Sequence, residues 1–267
     1  MARPDVTSFF DDSTNTVTHV AADPATRRAA IIDPVLDYCA ASGRTSTDTA
    51  QKVADFVAAE GLTVDWILET HIHADHLSAA PWLKSQLGGK IAIGENVKEV
   101  QRVFGKLFGA EAAFRADGSQ FDHLFKDGEF FKIGDLDARA IWTPGHTPAC
   151  MSFHIGDALF VGDTLFMPDF GTARCDFPGG DARQLYQSIQ KLFALPDETR
   201  MFLCHDYETA TRKSFAWETT IGEQKRSNIH VRQGISEDEF VTMRTARDKT
   251  LAMPQLILPS VQINMRA

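Results

Sequence analysis

The residues best able to do chemistry in this 267-residue chain are histidines and aspartates set at the ends of apolar runs. Four of them share one short segment, Thr70-His71-Ile72-His73-Ala74-Asp75-His76. The others are His146 in Thr143-Pro144-Gly145-His146-Thr147-Pro148, Asp163 after Val161-Gly162, and His205 after Met201-Phe202-Leu203-Cys204. Neutral imidazoles with a carboxylate suit zinc or iron(II), whereas magnesium or calcium would ask mainly for oxygen ligands. His71 and His73, two apart, can face the same side of an extended segment, and a turn then brings in Asp75 and His76. Any one of His19, His123, His154 and His230 reads as an ordinary surface or core histidine; the strand-end set read together points to a metal site.

Such residues need rigid elements behind them, and the apolar patterning supplies them. Thr16-Ala21, Ala29-Ile32 and Val64-Leu68 read as strands, the last running straight into the histidine cluster. Val53, Phe56 and Val57 recur at helical spacing between Thr47 and Glu60, and a shorter helix spans Ala79 to Leu87 before Gly88-Gly89. Ile91-Ile93 begins another strand, and Gly109 to Lys126 reads as a long irregular loop able to shape a pocket. Glu129-Ile133, Leu136-Thr143, Met151-His154 and Ala158-Val161 form an antiparallel meander. Asp181 caps a helix with the apolar face Leu185, Ile189, Leu192 and Phe193, Met201-Leu203 is a last buried strand, and Ser236 with Glu239 makes a capping box before Phe240 and Met243.

Composition narrows the function classes. A net charge of -9 works against a phosphate-coating nucleic-acid binder. No apolar run reaches the roughly 18 residues of a membrane span, and Met1 to Phe10 has neither a signal pattern nor a lipidation motif, which predicts a cytoplasmic protein without membrane association. Cys39, Cys150, Cys175 and Cys204 form no CxxC pair and read as reduced thiols.

These motifs, in this order, resemble the metallo-β-lactamase superfamily over most of the chain. The resemblance implies an α/β (α+β) fold, an αββα sandwich of two mixed β-sheets flanked by helices, with the metal at the rim. It implies one domain over 1–267 with a short C-terminal helical extension from about 214 to 267. In dinuclear members the positions matching His71, His73 and His146 hold one metal, those matching Asp75, His76 and His205 the other, and that matching Asp163 bridges them. Pro144-Gly145-His146-Thr147-Pro148, Arg174-Cys175-Asp176-Phe177, Leu185-Tyr186, His205-Asp206-Tyr207 and Asn264-Met265-Arg266 are more narrowly similar to the persulfide dioxygenases, or sulfur dioxygenases. There one iron(II) per chain, held at positions matching His71, His146 and Asp163, oxidises glutathione persulfide with O2 to sulfite and glutathione. No general base is called for. His73, Asp75, His76 and His205 would then orient the ligands rather than hold a second metal. Arg174 and Tyr207, and more weakly Arg266, are the implied glutathione contacts, each also readable as structural.

Three features depart from that pattern. Ala149 stands where a glycine is common, Cys175 where animal members have threonine, and Gly109-Lys126 is longer than in those members. Cys175 could relay a persulfide sulfur, although buried packing is the commoner role of a lone thiol. The main rival is a hydroxyacylglutathione hydrolase type of thioesterase with one or two zinc ions; its signature, however, is His-Glu-Tyr rather than His205-Asp206-Tyr207. A non-catalytic metal-binding or redox-sensing module is the rival of another class, and retention of every donor position argues against it. Sequence leaves a homodimer open.

Overall fold

A computed structural model describes residues 3–267. One six-stranded sheet has the order β1 (Asp5–Asp11), β2 (Thr16–Ala22), β3 (Arg28–Ile32), β6 (Thr63–Leu68), β8 (Lys90–Gly94) and β9 (His123–Phe125). The second runs β10 (Phe130–Ile133), β11 (Leu136–Trp142), β12 (Met151–Ile155), β13 (Ala158–Phe160), β14 (Arg200–Phe202) and β15 (Glu218–Thr220). A small sheet joins β5 (Arg44–Ser46), β4 (Val35–Cys39) and β7 (Leu77–Ser78). Both large sheets are mixed: β3, β6, β8 and β9 pair in parallel, as do β13 and β14, and the other pairs are antiparallel.

Side-chain alternation along each strand makes the layers. Ala21, Ala30, Ile32, Leu68 and Ala92 face inward and meet Ala140, Phe153, Ile155, Phe160 and Phe202 of the second sheet. Their neighbours Val20, Ile31, Ile67, Ile91 and Ile93 face outward, against α1 (Asp48–Ala59), α2 (Ala80–Leu87), α3 (Val97–Leu107) and α7 (Ile257–Asn264). On the far side Leu159, Val161, Met201 and Leu203 pack on α4 (Ala182–Phe193), α5 (Ile221–Ser227) and α6 (Glu237–Asp248). Each fully buried Phe or Ile contributes roughly 1.5–3 kcal/mol relative to exposure. The result is the expected αββα sandwich.

Local signals hold where a cap or a clear period sets them. Asp181 accepts a hydrogen bond from Gln184 N at 2.9 Å, and Ser236 with Glu239 forms the full capping box. Ala149 is buried and needs no positive φ, so its Cβ is accommodated. The stretch Gly109 to Lys126 departs from expectation. It ends in β9, which extends the first sheet, and none of its residues lines the main cavity. The segment from 214 onward supplies β15 as well as α5, α6 and α7. Among the described residues no helix is long and apolar enough to cross a membrane.

Candidate metal centre

All the predicted donors leave strand ends at one rim of the sandwich. The loop bearing His71, His73, Asp75 and His76 follows β6, His146 follows β11, Asp163 follows β13 and His205 follows β14. Two glycines explain the paired motifs Gly145-His146 and Gly162-Asp163. At Gly162 (φ +51°) a Cβ would sit 2.4 Å from Thr70 Oγ1, and at Gly145 (φ +140°) 2.4 Å from the backbone of Leu185. Only a bare Cα lets these turns press against the metal loop and α4.

The geometry divides the donors. Donor atoms of His71, His146 and Asp163 form one cluster and those of His73, Asp75, His76 and His205 another, while Asp163 and His205 also group with Cys204, and His73 with Asp33 and Cys204. Asp163 stands between them, with Oδ2 4.0 Å from His71 Nε2 and 3.6 Å from His146 Nε2, and Oδ1 3.4 Å from His205 Nε2. His205 Nε2 is also 3.1 Å from Asp75 Oδ2. Bonds of about 2.1 Å to a shared ion would set neighbouring donors roughly 3.0–3.4 Å apart, close to these spacings.

Each ring has one nitrogen engaged by the protein, which fixes the other to face the cluster. His146 Nδ1 donates to Arg174 O at 2.8 Å, and His205 Nδ1 donates to Asn15 O at 3.1 Å. His71 Nδ1 lies 3.0 Å from Thr70 Oγ1, which itself donates to Asp33 Oδ2. His73 Nε2 is 3.0 Å from Asp33 Oδ1 and 3.4 Å from Glu69 Oε2, and His76 Nδ1 is 3.4 Å from Thr16 Oγ1. The opposite atoms His73 Nδ1, His76 Nε2 and His205 Nε2, with Asp163 Oδ1, are buried and without a hydrogen-bond partner. Orphaned buried polar atoms cost about 1–3 kcal/mol each. Three of these atoms belong to the His73, Asp75, His76 and His205 cluster and the fourth to the carboxylate between the clusters; a divalent cation would satisfy such atoms, so the residues fit a metal.

Electrostatics cut across this division, because the carboxylates reach some rings and not others. Burial, with His73 and His146 nearby, pushes His71 well below its ordinary value, and burial also lowers His76. Burial opposes a proton on His73 too, but Asp33 and Glu69 outweigh it and hold His73 well above the usual range. Asp75 and Asp163 likewise raise His205 against burial.

A cavity of about 570 Å³ opens over His71, His146, Asp75 and Asp163. Phe166, Phe170 and Phe177 give it an apolar wall, and Tyr207 stacks on Phe170 with ring centroids 4.7 Å apart. Arg174 also lines it, but the guanidinium is committed to Asp176 (2.6 and 2.7 Å) and to Ala252 O. Arg266 is not brought to the cavity; it pairs with Glu111 at 2.8 Å and lies over Phe114. Cys175 is buried and its thiol is pushed far up by burial, which keeps it protonated. His19, His123, His154 and His230 stand outside the donor clusters.

Sequence reasoning passed over several residues that shape the site. Asp33, at φ +50°, accepts from Thr70 N at 2.7 Å as well as contacting His73. It carries the same strand-end signal as Asp163, but Asp33-Pro34 reads equally well as a strand stop. Arg212 forks onto Asp206 (2.6 and 2.7 Å) and onto Asp169, tying the segment after His205 to the cavity wall. Arg244 and Arg247 line the cavity from α6, the former paired with Asp248 at 2.6 Å.

The model of the Metallo-beta-lactamase superfamily matches residues 25–205, the span that carries every donor. The chain belongs to this superfamily. A relative from Burkholderia pseudomallei named a probable metallo-hydrolase is 55% identical over 98% of this chain and 92% of its own. The mitochondrial persulfide dioxygenase ETHE1 of Bos taurus is 33% identical over 97% of this chain and 86% of its own. The crystal structure of ETHE1 from Myxococcus xanthus superposes with a TM-score of 0.78 at 30% identity, covering 98% of both chains. Superfamily membership and the His/Asp clusters together make this a divalent-metal protein of the superfamily.

Proposed function

We propose that this chain is an iron(II)-dependent persulfide dioxygenase that oxidises glutathione persulfide with O2 to sulfite and glutathione. The observation that carries the reading is the partition of the donors. His71, His146 and Asp163 stand together beneath the cavity, whereas the donor atom of His73 falls with Asp75, His76 and His205. Two imidazoles and one carboxylate on one face are the ligand set of oxygen-activating iron(II), which supplies electrons to O2 and leaves positions open for substrate. The similarity to bovine persulfide dioxygenase supports the same reading.

The chain's own residues have the remaining tasks. Phe166, Phe170 and Phe177 limit water around the reacting sulfur. The Tyr207 phenol and the Arg174 fork are the candidate contacts for the peptide portion of glutathione. The overall change, persulfide plus O2 plus water to thiol plus sulfite plus protons, balances without a protein thiol. Cys175 is therefore assigned to packing.

One observation favours a second reading, a two-zinc thioester hydrolase acting on hydroxyacylglutathiones. Asp163 turns one oxygen to each donor cluster, as a carboxylate shared by two ions would. The 55% identical relative named a probable metallo-hydrolase agrees with it. The deciding experiment loads the protein anaerobically with iron(II), then follows oxygen uptake and sulfite release with glutathione persulfide beside hydrolysis of lactoylglutathione. Stoichiometric oxygen uptake and sulfite are expected; brisk thioester hydrolysis without oxygen uptake would overturn the dioxygenase reading.

A further inference from the structure

We propose that Asn264, the last residue of α7, is a positioning residue that holds the metal loop in ligand geometry from that helix. The loop from Glu69 to Ala79 is mostly irregular, so its buried carbonyls need partners outside a strand ladder. Asn264 supplies two of them: Nδ2 donates to His73 O at 3.0 Å and to His76 O at 2.8 Å. Its Oδ1 accepts from Ser78 N at 2.8 Å. Both protons of one amide are thus spent on the backbone of two donor-bearing residues, and the side chain is 5% exposed, which leaves little room for water to take its place.

The clamp closes on the far side of His73 as well. Ser78 Oγ donates to Glu69 Oε1, and Glu69 Oε2 is 3.4 Å from His73 Nε2. Behind Asn264, Val261 and Met265 are buried in the core beside Val97 and Val100 of α3, and Gln101 Nε2 donates to Met265 O at 2.9 Å. The loop is therefore pinned to a helix that carries no metal donor. Metal binding and docking of α7 are linked, and each must stabilise the other. The inference is independent of which metal works and of which reaction it serves.

Asn264→Asp separates the roles. The carboxylate keeps the acceptor for Ser78 N but has no proton for His73 O or His76 O. Gln101→Ala loosens the same helix without touching the loop. Zinc dissociation constants would be measured for both by competition with a chromophoric chelator, beside thermal unfolding of the metal-free proteins. The expected result is a zinc affinity lower by about 10–100-fold in Asn264→Asp, the usual cost of losing a group that orients a ligand, and a clearly smaller loss in Gln101→Ala, which weakens docking of the helix but keeps both bonds to the loop. Equal affinities in Asn264→Asp and the parent, or equal losses in the two variants, would overturn the proposal. The unsubstituted protein supplies a test that survives if Asn264→Asp does not fold: saturation with zinc should slow hydrogen exchange in α7, and unchanged exchange there would also overturn it.

Discussion

The two donor clusters use the same residue types and differ in what stands behind them. His71, His146 and Asp163 face a cavity large enough for a small peptide and are held mostly by backbone and hydroxyl groups. His73, His76 and His205 are completely buried, and the clearest difference lies behind His73, whose far nitrogen meets the Asp33 and Glu69 carboxylates, whereas Thr16 Oγ1 and Asn15 O back His76 and His205. Ligand type alone therefore does not say which residues meet substrate. Access does: the cavity reaches His71, His146 and Asp163, and from the other cluster Asp75, while His73, His76 and His205 do not line it.

The sharpest way to break that comparison is to remove two residues, one at a time, from the first cluster and one from the second. His146→Ala and Asp163→Ala should abolish iron binding and turnover. His76→Ala should keep iron, with affinity lower by about 10–100-fold, because there it orients rather than binds. Iron content and oxygen uptake of the three variants check this, and loss of all metal in His76→Ala would merge the clusters into one dinuclear centre.

Asp33 tests what the buried side contributes to the fold. Removing one partner of a buried pair costs about 3–5 kcal/mol. Asp33→Asn should lose part of that in metal-free denaturant unfolding, since the amide can still contact Thr70 N or His73 and Asn tolerates positive φ. Asp33→Ala should lose more, adding left-handed backbone strain of about 1–2 kcal/mol. Equal stability of the two variants would mean that charge and backbone at φ +50° do not act separately.

Asp33 also marks where sequence stops being informative. Every donor was legible because a hydrophilic residue after an apolar run stands out, and the strands bearing them were legible from alternation. Asp33 stands out equally, but Asp before Pro also ends strands, and one sequence cannot separate the roles. Asn264 stands out in the sequence only as part of a similar tail, because its partner His73 is 191 positions away. α7 was hidden by Pro259, which is tolerated only because it falls in the first turn, where no N–H is needed. α3 has its apolar face at Val97, Val100 and Phe104, but Gly105 interrupts the signal. β9 spans only His123–Phe125, too short for any period.

The two sides can next be compared by acid. Burial lowers His19, behind the strand to His205, from 6.5 to about 4, and lowers His230, under the cavity-wall residue Thr172, from 6.5 to about 4. Both stay neutral in the folded chain while the unfolded chain takes up a proton below pH 6.5. Their stability contribution is therefore present above that pH, falls as the pH drops towards 4 and is lost below it. Each adds a slope of at most about 1.4 kcal/mol per pH unit. His230→Asn should flatten unfolding free energy against pH between 6.5 and 4 by one such increment. An unaltered slope would place the acid sensitivity on the His19 side or among the donors.

The smallest effect is expected at Arg174, and its sign is informative. Its carbonyl orients His146, a task any residue can perform, while its guanidinium is held by Asp176 and Ala252 O. A substrate carboxylate would have to compete with Asp176, so Arg174→Ala should raise KM for glutathione persulfide by only about 1 kcal/mol, roughly fivefold, with kcat little changed. Asp176→Asn decides whether competition is the reason. If Arg174 reaches substrate, weakening its partner should lower KM below the parent's; if Arg174 only braces the cavity wall, Asp176→Asn should raise KM as Arg174→Ala does. In the second case the cavity wall beside the outer cluster, like His73 in the inner one, is braced by charges that never meet substrate.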